Sequence, residues 1–130
     1  MSTQFEKTAV EKLLTDYAEA LNSANTALIP SFYTADGLFM PDGYKGLPTE
    51  DLLGTSKGFF KNVRFQIDFT VPDTVIDGEY AFVQTMAKTT TTKLEKNQEV
   101  KQTSRDFFVL RKGKEGWKIY RYIFNNVRGK

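Results

Sequence analysis

The sequence predicts an α+β domain: N-terminal helices packed on an antiparallel sheet built from the second half of the chain. Two observations carry that prediction. Apolar residues recur at helical spacing before residue 61, and from Arg64 onward the period changes to two. The length adds a third, because 130 residues with 40% apolar content suit one core and one domain, residues 1–130, with no repeat or linker.

Val10, Leu13, Leu14, Tyr17 and Leu21 make one apolar stripe, the buried side of a first helix. Thr3 followed by Glu6 is a capping-box pattern at its start. Asn25 is placed to cap a second, shorter helix through Tyr33, kinked or broken early because Pro30 lacks an amide donor. A short strand over 37–41 ends at Pro41, and a loop runs to Pro48. Thr49 is expected to cap a third helix, with Glu50 and Asp51 in its first turn and Leu52, Ser56, Phe59 and Phe60 facing inward. Gly54 and Gly58 weaken that helix, which implies a close approach of its backbone to something else.

Phe65, Ile67, Phe69 and Val71 alternate with polar residues, with Asp68 on the wet side, and Asp77-Gly78 marks a hairpin. Strands from Tyr80 to about Thr92, from about Val100 to Lys112 and from Trp117 to Asn126 follow, separated by turns at Lys96-Asn97 and Gly113–Gly116. The Thr89–Thr92 run reads as a solvent-facing hairpin arm. The last two strands are apolar on both faces. Phe108 and Leu110 oppose Phe107 and Val109, while Tyr120, Tyr122 and Phe124 oppose Trp117, Ile119 and Ile123. A sheet with one wet face alternates apolar with polar. The helices cover one face here, and a second copy of the chain is the expected cover for the other, with Phe107, Val109, Ile119 and Ile123 at the contact.

The chain has no histidine and no cysteine. Disulfides, thiol nucleophiles, Ser-His-Asp machinery and His or Cys zinc sites are thereby excluded, and proton chemistry falls to Asp, Glu, Tyr, Lys or water. No metal or cofactor is expected. Residues 101–130 hold nine Lys or Arg and two acids, yet most of these basics flank apolar strand positions or fill a turn. A solvated sheet surface, not nucleic acid, is the reading. No apolar run approaches the roughly 18 residues that span a bilayer. The N-terminus lacks the blocks of a secretory signal, so no membrane and a cytoplasmic location are expected.

Four stretches, in this order and spacing, resemble the nuclear transport factor 2-like superfamily: 13–21 (LLTDYAEAL), 32–41 (FYTADGLFMP), 105–112 (RDFFVLRK) and 116–125 (GWKIYRYIFN). The last two are most similar to SnoaL-like proteins of unassigned activity. The resemblance implies a cone, a curved sheet wrapped around helices with a pocket at one end, often dimeric through the outer sheet face. Ketosteroid isomerase, on the same fold, uses an aspartate base, a tyrosine and a protonated aspartic acid. The resemblance places these on Met40, Tyr17 and Phe108, so only the tyrosine is kept and ketosteroid isomerisation is not expected.

Candidate catalytic residues are Asp106 and Tyr17. Asp106 shares the parity of Phe108 and Leu110, so its carboxyl is expected to be desolvated, either as a general acid–base or as the partner of an Arg or helix amide. Candidate ligand contacts are Tyr33, Met40, Phe60, Phe108, Tyr122 and Phe124 as an apolar wall, with Asn126 at the mouth. The functional expectation is a SnoaL-like protein binding a small hydrophobic, carbonyl-bearing molecule, with Asp106 and Tyr17 or Tyr122 performing acid–base chemistry. The alternative is a ligand-binding or dimeric assembly module without chemistry.

Overall fold

The structure, a computed structural model, describes residues 3–128. Helix α1 (Thr3–Asn22) buries Val10, Leu14, Tyr17 and Ala20, the expected stripe. Glu6 does not close a capping box. Its carboxylate accepts from Lys112 Nζ at 2.7 Å and Trp117 Nε1 at 3.0 Å, which ties the start of α1 to the far end of the sheet.

The second helix shrinks to a 3₁₀ turn, Ile29–Phe32, with Pro30 in its first positions. A residue without an amide donor suits that place and no later one. Tyr33 already has extended backbone and opens strand β1 (Tyr33–Met40), which therefore starts four residues before the expected position. After a two-residue strand β2 (Leu47–Pro48) comes helix α2 (Thr49–Asn62). Two helices, not three, thus pack on the sheet. Pro48 holds the cap position of α2, and Thr49 Oγ1 donates to the Thr34 carbonyl at 2.7 Å, tying the helix to β1 instead of capping it. Gly54 and Gly58 face open space, so no close backbone approach explains them.

Strands β3 (Val63–Asp77), β4 (Tyr80–Lys93), β5 (Gln98–Gly113) and β6 (Gly116–Val127) form the antiparallel meander. The whole curved sheet has the order β2-β1-β6-β5-β4-β3, and β1 joins β6 in parallel. Backbone at positive φ makes the turns where expected, at Gly78 (61°), Asn97 (49°) and Gly116 (100°).

One extra residue changes the facing of the last strand. Val109 pairs with Arg121 and Leu110 with Ile119, which leaves Tyr120 as a bulge in β6. Trp117 and Ile119 therefore return to the helix-covered side, where Ile119 is fully buried and cannot serve an outer contact. Phe107 and Ile123 do face outward, at 42% and 46% exposure, with Val109 half-buried between the same strands. The core against the helices is built from Val10, Leu14, Val83, Phe108, Leu110 and Ile119. Edge strand β3 is anchored to α1 by Asn22, whose side-chain amide accepts from the Ile67 amide at 2.6 Å and donates to the Ile67 carbonyl at 3.0 Å. No helix among the described residues is long and apolar enough to cross a membrane.

Candidate functional site

Between the helices and the concave side of the sheet lies a cavity of about 750 Å³. Alternation along β5 sets its polar inner end, because Ser104, Asp106, Phe108 and Leu110 all point to the helix side. Asp106 is only 2% exposed. Ser104 Oγ donates to its Oδ1 at 2.5 Å and the Tyr122 hydroxyl donates to its Oδ2 at 2.5 Å. Thr85 Oγ1, from the neighbouring strand, holds the Asp106 carbonyl at 3.0 Å.

No cation pairs with Asp106 among the described residues. Burial raises its pKa above the ordinary aspartate value, although both hydroxyl donors favour the charged form and pull the other way. The partner foreseen as an Arg or a helix amide is thus a pair of hydroxyls.

Tyr17 comes to the same cavity from α1. Its hydroxyl shares a 2.7 Å hydrogen bond with that of Tyr33, and its ring stands edge-on to Tyr122 at 6.1 Å. Burial pushes the Tyr17, Tyr33 and Tyr122 phenols up, so all three stay protonated at neutral pH and keep a proton to donate. The Asp106 charge adds to the upward push on Tyr122.

Two aromatic walls enclose the space. Phe39 lies 5.0 Å from Tyr122 and 6.0 Å from Phe124, ring centre to ring centre. Opposite them Phe59, Phe60 and Phe65 meet edge to face at 5.1, 5.6 and 6.3 Å. At the mouth, Asn126 Nδ2 donates to Asp42 Oδ2 at 3.1 Å.

Of the residues singled out from sequence, Asp106, Tyr17, Phe60, Tyr122, Phe124 and Asn126 line the cavity. Tyr33, Phe108 and Met40 do not. Tyr33 stands behind Tyr17 as its hydrogen-bond partner. Phe108 is fully buried and stacks against Tyr122 at 4.1 Å, which makes it a backing plate and not a wall. Met40 pairs with outward-facing Ile123, while its neighbour Phe39 pairs with Tyr122 and faces in. The side chain presented to the cavity at the end of β1 is therefore Phe39. It is no more a base than Met40.

Ser104 was missed, although its offset of two from Asp106 put it on the same strand face. Thr89 and Thr91, expected in solvent, line the cavity because the β4–β5 arm curves over it. Asp42, Leu52 and Phe65 join from segments whose distance in sequence gave no signal. Among the described residues no group of three Asp, Glu, His or Cys is placed to hold a metal ion.

A family model described as the SnoaL-like domain matches residues 10–124. The chain belongs to the SnoaL-like family. Solved structures similar to this SnoaL-like domain include a conserved protein from Planctomyces limnophilus (16% identity, TM-score 0.87, 95% of this chain and 99% of that one). A ketosteroid isomerase-like protein from Erwinia carotovora matches with 23% identity, a TM-score of 0.84, and coverage of 94% and 96%. A candidate scytalone dehydratase from Novosphingobium aromaticivorans matches with 14% identity, a TM-score of 0.88, and coverage of 96% and 86%. Among curated protein sequences none matches. At these identities the likeness is one of fold, and the chemistry of this SnoaL-like domain has to be argued from its own side chains.

Proposed function

We propose that this SnoaL-like protein binds a small apolar, carbonyl-bearing molecule in the cavity and that Asp106 with Tyr17 moves a proton at the carbon beside the carbonyl. The observation that carries this reading is a carboxyl buried without a cation, at the inner end of an apolar cavity, within one aromatic cluster of a protonated tyrosine. Burial makes Asp106 a stronger base than a solvated aspartate. As base it takes the proton from carbon, the C–H electron pair moves into the C–C bond, and the carbonyl π pair moves onto oxygen. The Tyr17 hydroxyl donates a hydrogen bond to that oxygen, at the point where negative charge develops. In a β,γ-unsaturated carbonyl compound, return of the proton from Asp106 to the γ-carbon gives isomerisation. In a β-hydroxy carbonyl compound, the enolate pair expels the β-hydroxyl, which takes the proton from Asp106 and leaves as water, giving dehydration.

The test is wash-in of solvent deuterium. Apolar ketones that raise the melting temperature are incubated in D₂O and the α-carbon signal is followed by NMR. Exchange by the wild type and a loss of about 10²–10⁴-fold in Asp106→Asn is the expected result. Bound ketones that show no exchange, or an Asp106→Asn variant as active as wild type, overturn the catalytic reading.

A second reading, ligand binding without chemistry, is favoured by one detail: both Asp106 oxygens already accept short hydrogen bonds within the chain. It expects the same ketones to bind and none to exchange.

We also propose that the outer sheet face pairs two copies of the chain. Phe107 and Ile123 are direct register partners there and both are exposed, with Val109 beside them. Sedimentation at tens of micromolar is expected to show a dimer that Ile123→Asp converts to monomer, and a wild-type monomer would remove the proposal.

A further inference from the structure

We infer that helix α2 is the gate of this cavity, opening by local unwinding around Gly54 and Gly58 while both of its ends stay fixed. The inference rests on the cavity being a ligand site, as proposed above, and adds the route by which a ligand enters and leaves.

Helix α2 lies over the hollow more than over packed core. Leu52, Thr55, Ser56, Phe59 and Phe60 all line the cavity. Their spacing sets them along one side of the helix, the side by which a surface helix ordinarily grips a core. Leu52 is the one buried residue of the 14 in α2, whereas α1 buries Val10, Leu14, Tyr17 and Ala20. Phe59 stays 42% exposed, and its ring and that of Phe60 meet β3 only edge-on, at Phe65. Most helical stability in a protein comes from packing of the apolar side, so a helix over a hollow is weakly held.

The two glycines weaken it further. Gly54 and Gly58 are exposed, one turn apart on the side away from the cavity. A Cβ at either position meets nothing within 4 Å, and neither has left-handed backbone. No close approach or turn requires glycine there, and each lowers the helical population by about fivefold against alanine. The ends are secured independently of this stretch. Thr49 Oγ1 donates to the Thr34 carbonyl at 2.7 Å. At the other end α2 runs into β3 without a loop, and the Asn62 carbonyl accepts from the Leu94 amide at 3.1 Å. A helix tied at both ends and loose between them opens in its middle, which parts Thr55, Ser56 and Phe59 from the cavity. A bound apolar ligand gives the same side chains something to pack on and winds the helix shut.

Gly54→Ala/Gly58→Ala tests this, because it firms the helix without touching the cavity. The probe is 6-propionyl-2-(dimethylamino)naphthalene, a neutral fluorescent ketone, followed by stopped-flow fluorescence, with hydrogen exchange measured alongside. Wild-type α2 amides are expected to exchange at least about 100-fold faster than those of α1. Saturating ketone slows the α2 amides by about tenfold or more. In the double alanine variant α2 exchange slows by about 20-fold. Association and dissociation of the ketone then both slow by about tenfold while Kd stays within about twofold, the signature of a gate on both directions of passage. Thr89→Trp, which fills the cavity from the sheet side, weakens binding by about tenfold.

Unchanged association and dissociation in the double alanine variant, or α2 exchange indifferent to bound ketone, overturns the gate and leaves the cavity reading standing. Failure of the ketone to bind the wild type, or binding indifferent to Thr89→Trp, overturns the cavity reading and the inference with it.

Discussion

Removing one oxygen, by Tyr122→Phe, tests the energetics of the inner site without disturbing its packing. The ring remains stacked on Phe108 at 4.1 Å and tilted against Phe39 at 5.0 Å, so no cavity opens. What disappears is the donor to Asp106 Oδ2. A hydrogen bond to a charged group contributes about 1.5–3 kcal/mol, and one between neutral groups about 0.5–1.5 kcal/mol. The cost of the substitution therefore depends on the charge of Asp106.

The folded carboxyl holds its proton more tightly than that of the unfolded chain, because burial outweighs its two donors. Stability from this source is present at low pH and is lost as pH rises through the folded pKa. Deleting a donor raises that pKa further, so the variant loses more on the same climb. Urea denaturation at about pH 7.5 is expected to show Tyr122→Phe destabilised by about 1.5–3 kcal/mol, a midpoint shift of roughly 1 M for a typical urea slope. At about pH 3 the cost is expected to shrink to about 1 kcal/mol or less. In an Asp106→Asn background the pH dependence of the substitution should vanish. A cost below about 0.5 kcal/mol at pH 7.5, or one equal at both pH values, would refute the picture of a hydroxyl holding a buried carboxylate.

Asn22→Ala removes two hydrogen bonds from Ile67 of edge strand β3 and is expected to cost about 1–3 kcal/mol, with faster hydrogen exchange at the Ile67 amide. Unchanged exchange there would mean the contact is not formed in solution. Gly37→Ala places a methyl 2.8 Å from Thr49 Oγ1 and 3.0 and 3.1 Å from the carbonyl oxygens of Thr34 and Ile119. Backbone cannot yield cheaply, so a loss of about 1–3 kcal/mol and a drop in melting temperature are expected. A Δ5-3-ketosteroid should show no turnover above buffer with the wild type, because Phe39 and Met40 offer no base at the end of β1, and strong turnover would mean that Asp106 reaches the steroid instead.

The alternation of the second half and its Gly and Asn turns determined, without any structure, the four-strand meander and the turns between its strands. The same alternation put Asp106 and Phe108 on the helix-covered face. These features are legible because period and turn chemistry are local properties of a few adjacent residues. Parity has a limit, since it ranks residues within a strand and does not survive an inserted one. The bulge at Tyr120 moved Trp117 and Ile119 from the outer face to the core. Likewise, a strand's own pattern does not say which strand it will meet. The parallel docking of β1 on β6 chose Phe39 over Met40 for the cavity.

Tertiary structure decided the cross-strand partner of Asp106. A desolvated carboxyl can be satisfied by a guanidinium, a helix amide or hydroxyls, and only the registry of β5 with β6 selected Tyr122, while same-strand parity brought Ser104.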